Sequence, residues 1–211
     1  MLTRMDMNDL NLPPDVVPVD LAGQGRRSVT FRAEYLGEVV ALKVYRDEFI
    51  HKYQQRYALN IAQFEFERNR AFYAIGPLRP YAAQPKKVLG VDDGCSLCFL
   101  QEFISGLTLV ELAKSNRGLP QSVLEAGKLI CDKAEASGLH DLDLFYKNVM
   151  VRRQNDTWLP VLHDFNLLPQ YRYPPNPFLA LAYLTGLRKR SHRDRRCLKG
   201  WKEYSDHCRL I

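Results

Sequence analysis

Leu139-His140-Asp141-Leu142-Asp143-Leu144-Phe145-Tyr146-Lys147-Asn148-Val149-Met150-Val151 is the stretch on which the reading of this chain turns. Its last three residues are β-prone and open a short hairpin: Val149-Met150-Val151 and Leu159 to Leu162 are apolar runs joined by an Asn155-Asp156 turn. Asp143 and Asn148 stand five residues apart ahead of the first run. Val161-Leu162-His163-Asp164-Phe165-Asn166 closes the second, with Asp164 sixteen residues after Asn148. An ordinary polar turn before a strand also uses Asp and Asn, so the weight of these residues depends on what stands elsewhere in the chain, and in what order.

Upstream, three antiparallel strands are expected between Val19 and Tyr45. The first turn carries Gly23-Gln24-Gly25-Arg26-Arg27-Ser28, where glycine lets backbone N–H groups come close to phosphate oxygens; two glycines near a strand are more often a plain hairpin. A second turn falls at Leu36-Gly37-Glu38, and Val40-Ala41-Leu42-Lys43-Val44 ends an apolar strand on a lysine. Residues 47–75 are rich in helix formers, with Phe64, Ala71, Phe72 and Ile75 at helical spacing, and Pro77 and Pro80 end this part. Two more strands are expected at Lys86 to Val91 and Ser96 to Phe103 around the turn Asp92-Asp93-Gly94. Helical patterns follow at Leu109 to Lys114 and Ser122 to Ser137, and one or two helices interrupted by Gly186 and Gly200 are expected from Pro174 onward. Strands, helix, strands and then mostly helix make an α+β protein, with a sheet-rich first lobe and a helical second lobe.

The chain has 211 residues, 46% of them apolar, enough for a sizeable core in one domain or two small lobes. No stretch approaches the roughly 18 apolar residues of a membrane span, and Met1 to Asp20 lacks the order of a signal peptide, so a cytoplasmic location is expected. Five scattered cysteines form no disulfide framework; Cys95 and Cys98 make a CxxC without a second pair, which reads as strand and turn rather than zinc. The net charge of +6 is unevenly placed: Arg188, Lys189, Arg190, Arg193, Arg195, Arg196, Lys199 and Lys202 crowd the C-terminal end. Such an end suits nucleic acid, an anionic membrane face or a phosphorylated substrate, and equally a solvated helix face. Nucleic acid is disfavoured, because no recognisable binding motif accompanies it.

Taken in order, Gly23-x-Gly25, Lys43, a helix with Glu65 and Glu67, Asp143-x4-Asn148 and Asp164-Phe165 resemble the signature of the protein-kinase-like superfamily over residues 19–168. The resemblance implies a bilobal fold with a sheet-rich N-lobe and a reduced, mostly helical C-lobe: an arm at 1–18, an N-lobe at 19–104 and a minimal C-lobe at 105–211 ending in a basic helix. It also implies ATP and Mg²⁺. Gly23 and Gly25 would cover the phosphates and Lys43 would hold them, paired with Glu67 or, as the second choice, Glu65. Glu102 and Ile104 would offer backbone groups to the adenine edge, with Gln101 at the back of the pocket. Asp143 would orient the acceptor hydroxyl, and Asn148 and Asp164 would hold the metal. Several positions depart from the pattern. Ser28 replaces the third glycine of the loop, Asp141 stands two before Asp143 where the histidine is usual, with His140 beside it, and Asn166 replaces the glycine after Asp164-Phe165, where its tolerance of left-handed angles would preserve the turn.

In its Gly23-Gln24-Gly25-Arg26-Arg27 opening, its Asp143-x4-Asn148 loop and its basic end with Arg195-Arg196 before Trp201, the chain also resembles short bacterial relatives, the lipopolysaccharide core kinases and the YrbL-type proteins of the PhoP regulatory network. These imply a sugar hydroxyl at the inner membrane face as acceptor, with the basic end against anionic lipid, or else a protein Ser/Thr. The alternative is a nucleotide-binding pseudokinase or scaffold acting through its basic C-terminal segment.

Overall fold

The computed structural model describes residue 7, residues 10–91 and residues 95–210, so the expected turn Asp92-Asp93-Gly94 and most of the first nine residues lie outside the described part. The chain divides into two compact units, residues 1–70 with 83–104, and residues 71–82 with 105–211.

The first unit is built on an antiparallel sheet. Its strands are β1 (Val16–Gln24), β2 (Ser28–Tyr35), β3 (Glu38–Tyr45), β4 (Pro85–Leu89) and β5 (Cys98–Glu102), in the order β1-β2-β3-β5-β4. β1 begins at Val16, inside the segment expected to be an arm. Val16 pairs with Tyr35 and is buried, while Pro18 falls at a register shift of this edge strand. Proline is tolerated at such a bulge, which is why the prolines misdirect a reading from sequence. Leu36 and Gly37, both at positive φ, turn β2 into β3.

β3 is central and buried from Val40 to Tyr45. One face of the sheet is dry: Val29, Phe31, Val40, Leu42, Val44, Cys98 and Leu100 form its core. The alternate residues of β3 and β5, among them Lys43, Tyr45, Phe99 and Gln101, point the other way. That face meets α2 (Ile61–Tyr73), which follows α1 (Asp47–Tyr57) and is capped by the Asn60 carboxamide oxygen accepting from the Ala62 and Gln63 N–H groups.

The second unit has a hydrophobic core that includes Phe72, Leu78, Leu109, Leu112, Ile130, Leu142, Leu144, Val149, Val151, Phe165 and Trp201. Burial of Phe72, Leu78 and Ala82 in this core explains why residues 71–82 belong here rather than with the first lobe. A small sheet runs β6 (Leu107–Thr108), β7 (Val149–Gln154) and β8 (Thr157–Leu162). The helices are α3 (Leu109–Ser115), α4 (Gln121–Ala136), α5 (Pro177–Leu184) and α6 (His192–Leu210). Thr108 and Glu111 close a reciprocal capping box at the start of α3. Gly106 brings its backbone so close to β7 that a Cβ would lie 2.1 Å from the Val151 carbonyl oxygen.

The helix α6 runs unbroken through Gly200, where an interruption was expected. Burial of Trp201, Ser205 and Cys208 on one side of it outweighs the weak helix propensity of a single glycine. No helix among the described residues is long and apolar enough to cross a membrane.

Candidate active site

In the first unit the site is organised around Lys43. Its ammonium donates to Glu65 Oε1 at 2.7 Å, and the hydroxyl of Tyr45 donates to Glu65 Oε2. The Glu65 side chain is wholly buried and that of Lys43 is 6% exposed. Four residues on, Asn69 donates to the Gln101 side-chain oxygen at 3.1 Å, and between them Phe66 packs edge-on to Phe99. Helical spacing thus lays Glu65 and Asn69 against Lys43 and Gln101 of two adjacent strands.

Glu67, the first choice from sequence, does not take this role. It accepts from Gln63 and Arg70 on the outer side of α2, and its side chain is 43% exposed. The expectation failed because it let apolar residues define the inner face. Ala71 is exposed and Phe64 half-buried, whereas the buried positions are Ile61, Ala62, Glu65, Asn69 and Phe72. A buried carboxylate is stable there because a buried ammonium faces it.

Gly23 lies in β1 opposite Thr30, and a side chain there would meet nothing within 4 Å. The Gly25 N–H donates to the Ser28 carbonyl at 2.9 Å, closing the turn between β1 and β2. Neither glycine has positive φ. Glu102 ends β5 and exchanges two bonds with Gln84: its N–H donates to the Gln84 carbonyl, and its carboxylate accepts from the Gln84 N–H. Ile104, buried, is the last residue of the first unit.

The second unit holds the loop 139–148. Asp141 and Asp143 both sit in the left-handed region, with φ of 57° and 56°, a conformation that aspartate tolerates better than most residues. The two turns bury Leu142 and Leu144 in the core and leave Asp143 half-exposed between them.

The loop is held by α6. The Asp194 carboxylate accepts from the N–H groups of Asp141 and Leu142, both at 2.8 Å, and Trp201 Nε1 donates to the Leu144 carbonyl at 2.7 Å. Asp141 is fully buried, accepts from the Gln170 N–H at 2.6 Å and lies 3.5 Å from Arg193 Nε. Its environment is that of a residue that shapes the loop. His140 is buried and packs edge-on to Tyr171. Burial, then the carboxylates of Asp194 and Asp143, push the Cys197 thiol up to about 11, so it stays protonated and inert near neutral pH.

A 3₁₀ turn, Tyr146–Asn148, leads into β7. Val149 pairs with Leu162, so Asn148 and the segment from His163 to Asp164 extend from the same end of the β7–β8 hairpin. Asp164 is half-buried and its Oδ1 accepts from the Asn166 N–H at 3.2 Å, while Phe165 is buried against Phe72 at 5.4 Å between ring centroids. Asn166 is not among the residues with positive φ, contrary to expectation. The turn is made by the Asp164 side chain bonding two residues ahead, which needs no left-handed residue. Asn148 and Asp164 are the side chains that could hold Mg²⁺, which is bound through one or two carboxylates and leaves its remaining positions to water and phosphate.

Sequence reading missed Asp194 and gave Trp201 no part in holding the loop. Both were inside a basic segment, and their partners lie more than 50 residues away. Part of the basic segment is neutralised: Arg193 lies 3.5 Å from Asp141, Arg195 meets Asp132 and Glu135, and Lys199 meets Glu203, whereas among the described residues Arg188, Lys189 and Arg190 form no ion pair.

No protein-family model matches the chain, and comparison with curated proteins gives no match. Solved structures do match. The kinase domain of Mycobacterium tuberculosis PknI is 20% identical over 92% of this chain and 73% of its own, with a TM-score of 0.57. Two variants of that domain, carrying one and two substitutions, give TM-scores of 0.56 and 0.58 and cover 88% and 92% of this chain and 71% and 74% of theirs. The five-stranded antiparallel sheet of the first unit and the mainly helical second unit follow the same plan. The chain has a protein-kinase-like α+β fold.

Proposed function

We propose that the chain is a phosphotransferase that moves the γ-phosphoryl group of ATP to a hydroxyl acceptor, using Mg²⁺. The observation that carries this reading is the buried Lys43–Glu65 pair. A fully buried carboxylate fixes the lysine ammonium in one place, as a point charge for phosphate oxygens requires.

Each residue then has one task. Gly23 and Gly25 let the β1–β2 turn approach phosphate, and Lys43 neutralises phosphate oxygens as negative charge builds up during transfer. Asn148 and Asp164 would hold Mg²⁺, which would offset negative charge on the phosphates. Asp143 orients the acceptor hydroxyl and takes its proton as the oxygen–phosphorus bond forms and the bond from the γ-phosphorus to the leaving ADP breaks. Glu102 and Ile104 offer backbone groups to the adenine edge. Asp194 and Trp201 keep the loop in register, so that Asp143 needs no reorganisation at the moment of transfer.

The acceptor is either a lipopolysaccharide core sugar or a protein Ser/Thr, and the basic C-terminal segment would favour an acceptor at an anionic membrane face. Incubation with γ-labelled ATP and Mg²⁺, supplying in turn the protein alone, cell protein and purified lipopolysaccharide, tests the reading. Label on the polysaccharide or on Ser/Thr supports it and names the acceptor. Nucleotide binding without transfer in any arm would replace it with the nucleotide-binding scaffold.

A further inference from the structure

Between Asp164 and Asp194 the chain contains no acidic residue, while the same span carries Arg172, Arg188, Lys189, Arg190 and Arg193. Within it lies α5, PFLALAYL, which has no buried residue. Phe178, Leu181 and Leu184 are 85%, 59% and 84% exposed, and Leu187 just beyond the helix is 86% exposed. Single exposed leucines are ordinary, but residues at i, i+3 and i+6 form one continuous apolar stripe.

The helix is well made. Asn176 accepts from the Leu179 N–H at its start, and the Thr185 hydroxyl donates to the Leu181 carbonyl at its end. Leu179, Ala180, Ala182 and Tyr183 are half-buried, so the opposite side rests on the unit and the stripe faces outward.

The cations around this stripe differ from most of those of α6. Among the described residues Arg172, Arg188, Lys189 and Arg190 pair with no carboxylate, whereas Arg193, Arg195, Lys199 and Arg209 each do. Arg172, Lys189 and Arg190 are exposed. An outward apolar stripe, bracketed in sequence by uncompensated cations and free of carboxylates, matches the layering of an anionic bilayer surface, with acyl chains beneath a plane of phosphates. We infer that α5 and Leu187 dock the chain on an anionic lipid surface, with Phe178, Leu181, Leu184 and Leu187 below the headgroups and Arg172, Lys189 and Arg190 at the phosphates.

The placement bears on the site. The Gln170 N–H and Arg193, which flank the segment, both bond Asp141, and Arg188 donates to the Gln170 side chain at 3.4 Å. A lipid-docked α5 would therefore hold the Asp141–Asp143 loop close to an acceptor carried in the membrane, a consequence that rests on the proposed phosphotransfer.

The test needs no ATP, so its outcome is independent of that reading. The full chain is sedimented with vesicles of phosphatidylcholine alone or mixed with phosphatidylglycerol. Binding to the anionic vesicles only, weakened by salt, is expected. Leu181→Glu with Leu184→Glu should lower the partition coefficient at least about tenfold, and Lys189→Ala with Arg190→Ala about fivefold per charge. These side chains are exposed, and far-ultraviolet circular dichroism verifies the fold. Phe178→Trp should shift its emission to the blue on anionic vesicles and be quenched by brominated acyl chains. Failure to bind anionic vesicles would overturn the inference, as would binding indifferent to the leucine substitutions. A change in sedimentation coefficient on Leu181→Glu with unchanged vesicle binding would assign the stripe to a second copy of the chain instead.

Discussion

Replacement of Glu65 and of Glu67 by glutamine separates a buried pair from a surface one. Glu65 is wholly buried and Lys43 nearly so, at 2.7 Å, and the glutamate also accepts from Tyr45. Glu65→Gln keeps the shape and an acceptor oxygen but takes the negative charge of Glu65 away from the buried ammonium. Breaking a buried pair from one side costs about 3–5 kcal/mol, and the retained amide places this variant near about 3 kcal/mol. Glu67 and Arg70 are more than a third exposed, so Glu67→Gln should change stability by no more than about 0.5 kcal/mol. Adding Lys43→Met to Glu65→Gln removes the buried ammonium as well and should return most of the loss, because an apolar replacement of a buried pair is often neutral. Urea unfolding followed by circular dichroism measures all three. Equal effects at positions 65 and 67, or a further loss in the double variant, would refute the reasoning.

Other perturbations follow from the second unit. Asp194→Ala leaves the N–H groups of Asp141 and Leu142 without their acceptor and should cost about 1–3 kcal/mol per group in urea unfolding, with transfer lowered as the loop loses its register. Gly200→Ala should stabilise by about 0.5–1 kcal/mol, since the position is inside α6 and open, whereas Gly127→Ala should destabilise because its Cβ would fall 2.6 Å from Trp201; thermal unfolding distinguishes them by sign. Hydrogen bonds from Arg195 and Ser191 lower the pKa of Glu135, so its contribution to stability is present above the unfolded carboxyl value and is lost as the pH falls through the folded one. Glu135→Gln should accordingly flatten the acid side of the stability profile and leave its alkaline side unchanged.

The parts of this fold that were legible in the sequence are those set by local pattern. Alternation and turn residues gave β2, β3, β5 and the β7–β8 hairpin, and the order of Lys43, Asp143, Asn148 and Asp164 gave the candidate site its outline. What was illegible depended on contacts distant in sequence. Periodicity counts apolar residues, so it turned α2 the wrong way and favoured Glu67, when Lys43 and Gln101 on the strands were drawing Glu65 and Asn69 inward. Charge density made α6 look like a basic tail, although its buried side carries Asp194 and Trp201, which hold the loop. Proline content likewise masked the start of β1 at Val16 to Pro18, which an edge strand accommodates.

The central claim is that Asp143 serves the acceptor while Asp141 serves the loop, and single-turnover phosphoryl transfer from γ-labelled ATP in Asp143→Asn and Asp141→Asn tests it most directly. The account predicts that Asp143→Asn loses roughly 10²-fold or more in rate with nucleotide affinity nearly unchanged. Asp141→Asn, which disturbs the bonds to Gln170 and Arg193, should lower stability first and retain transfer in its folded fraction. Transfer at the unsubstituted rate in Asp143→Asn, with a folded but inactive Asp141→Asn, would contradict it.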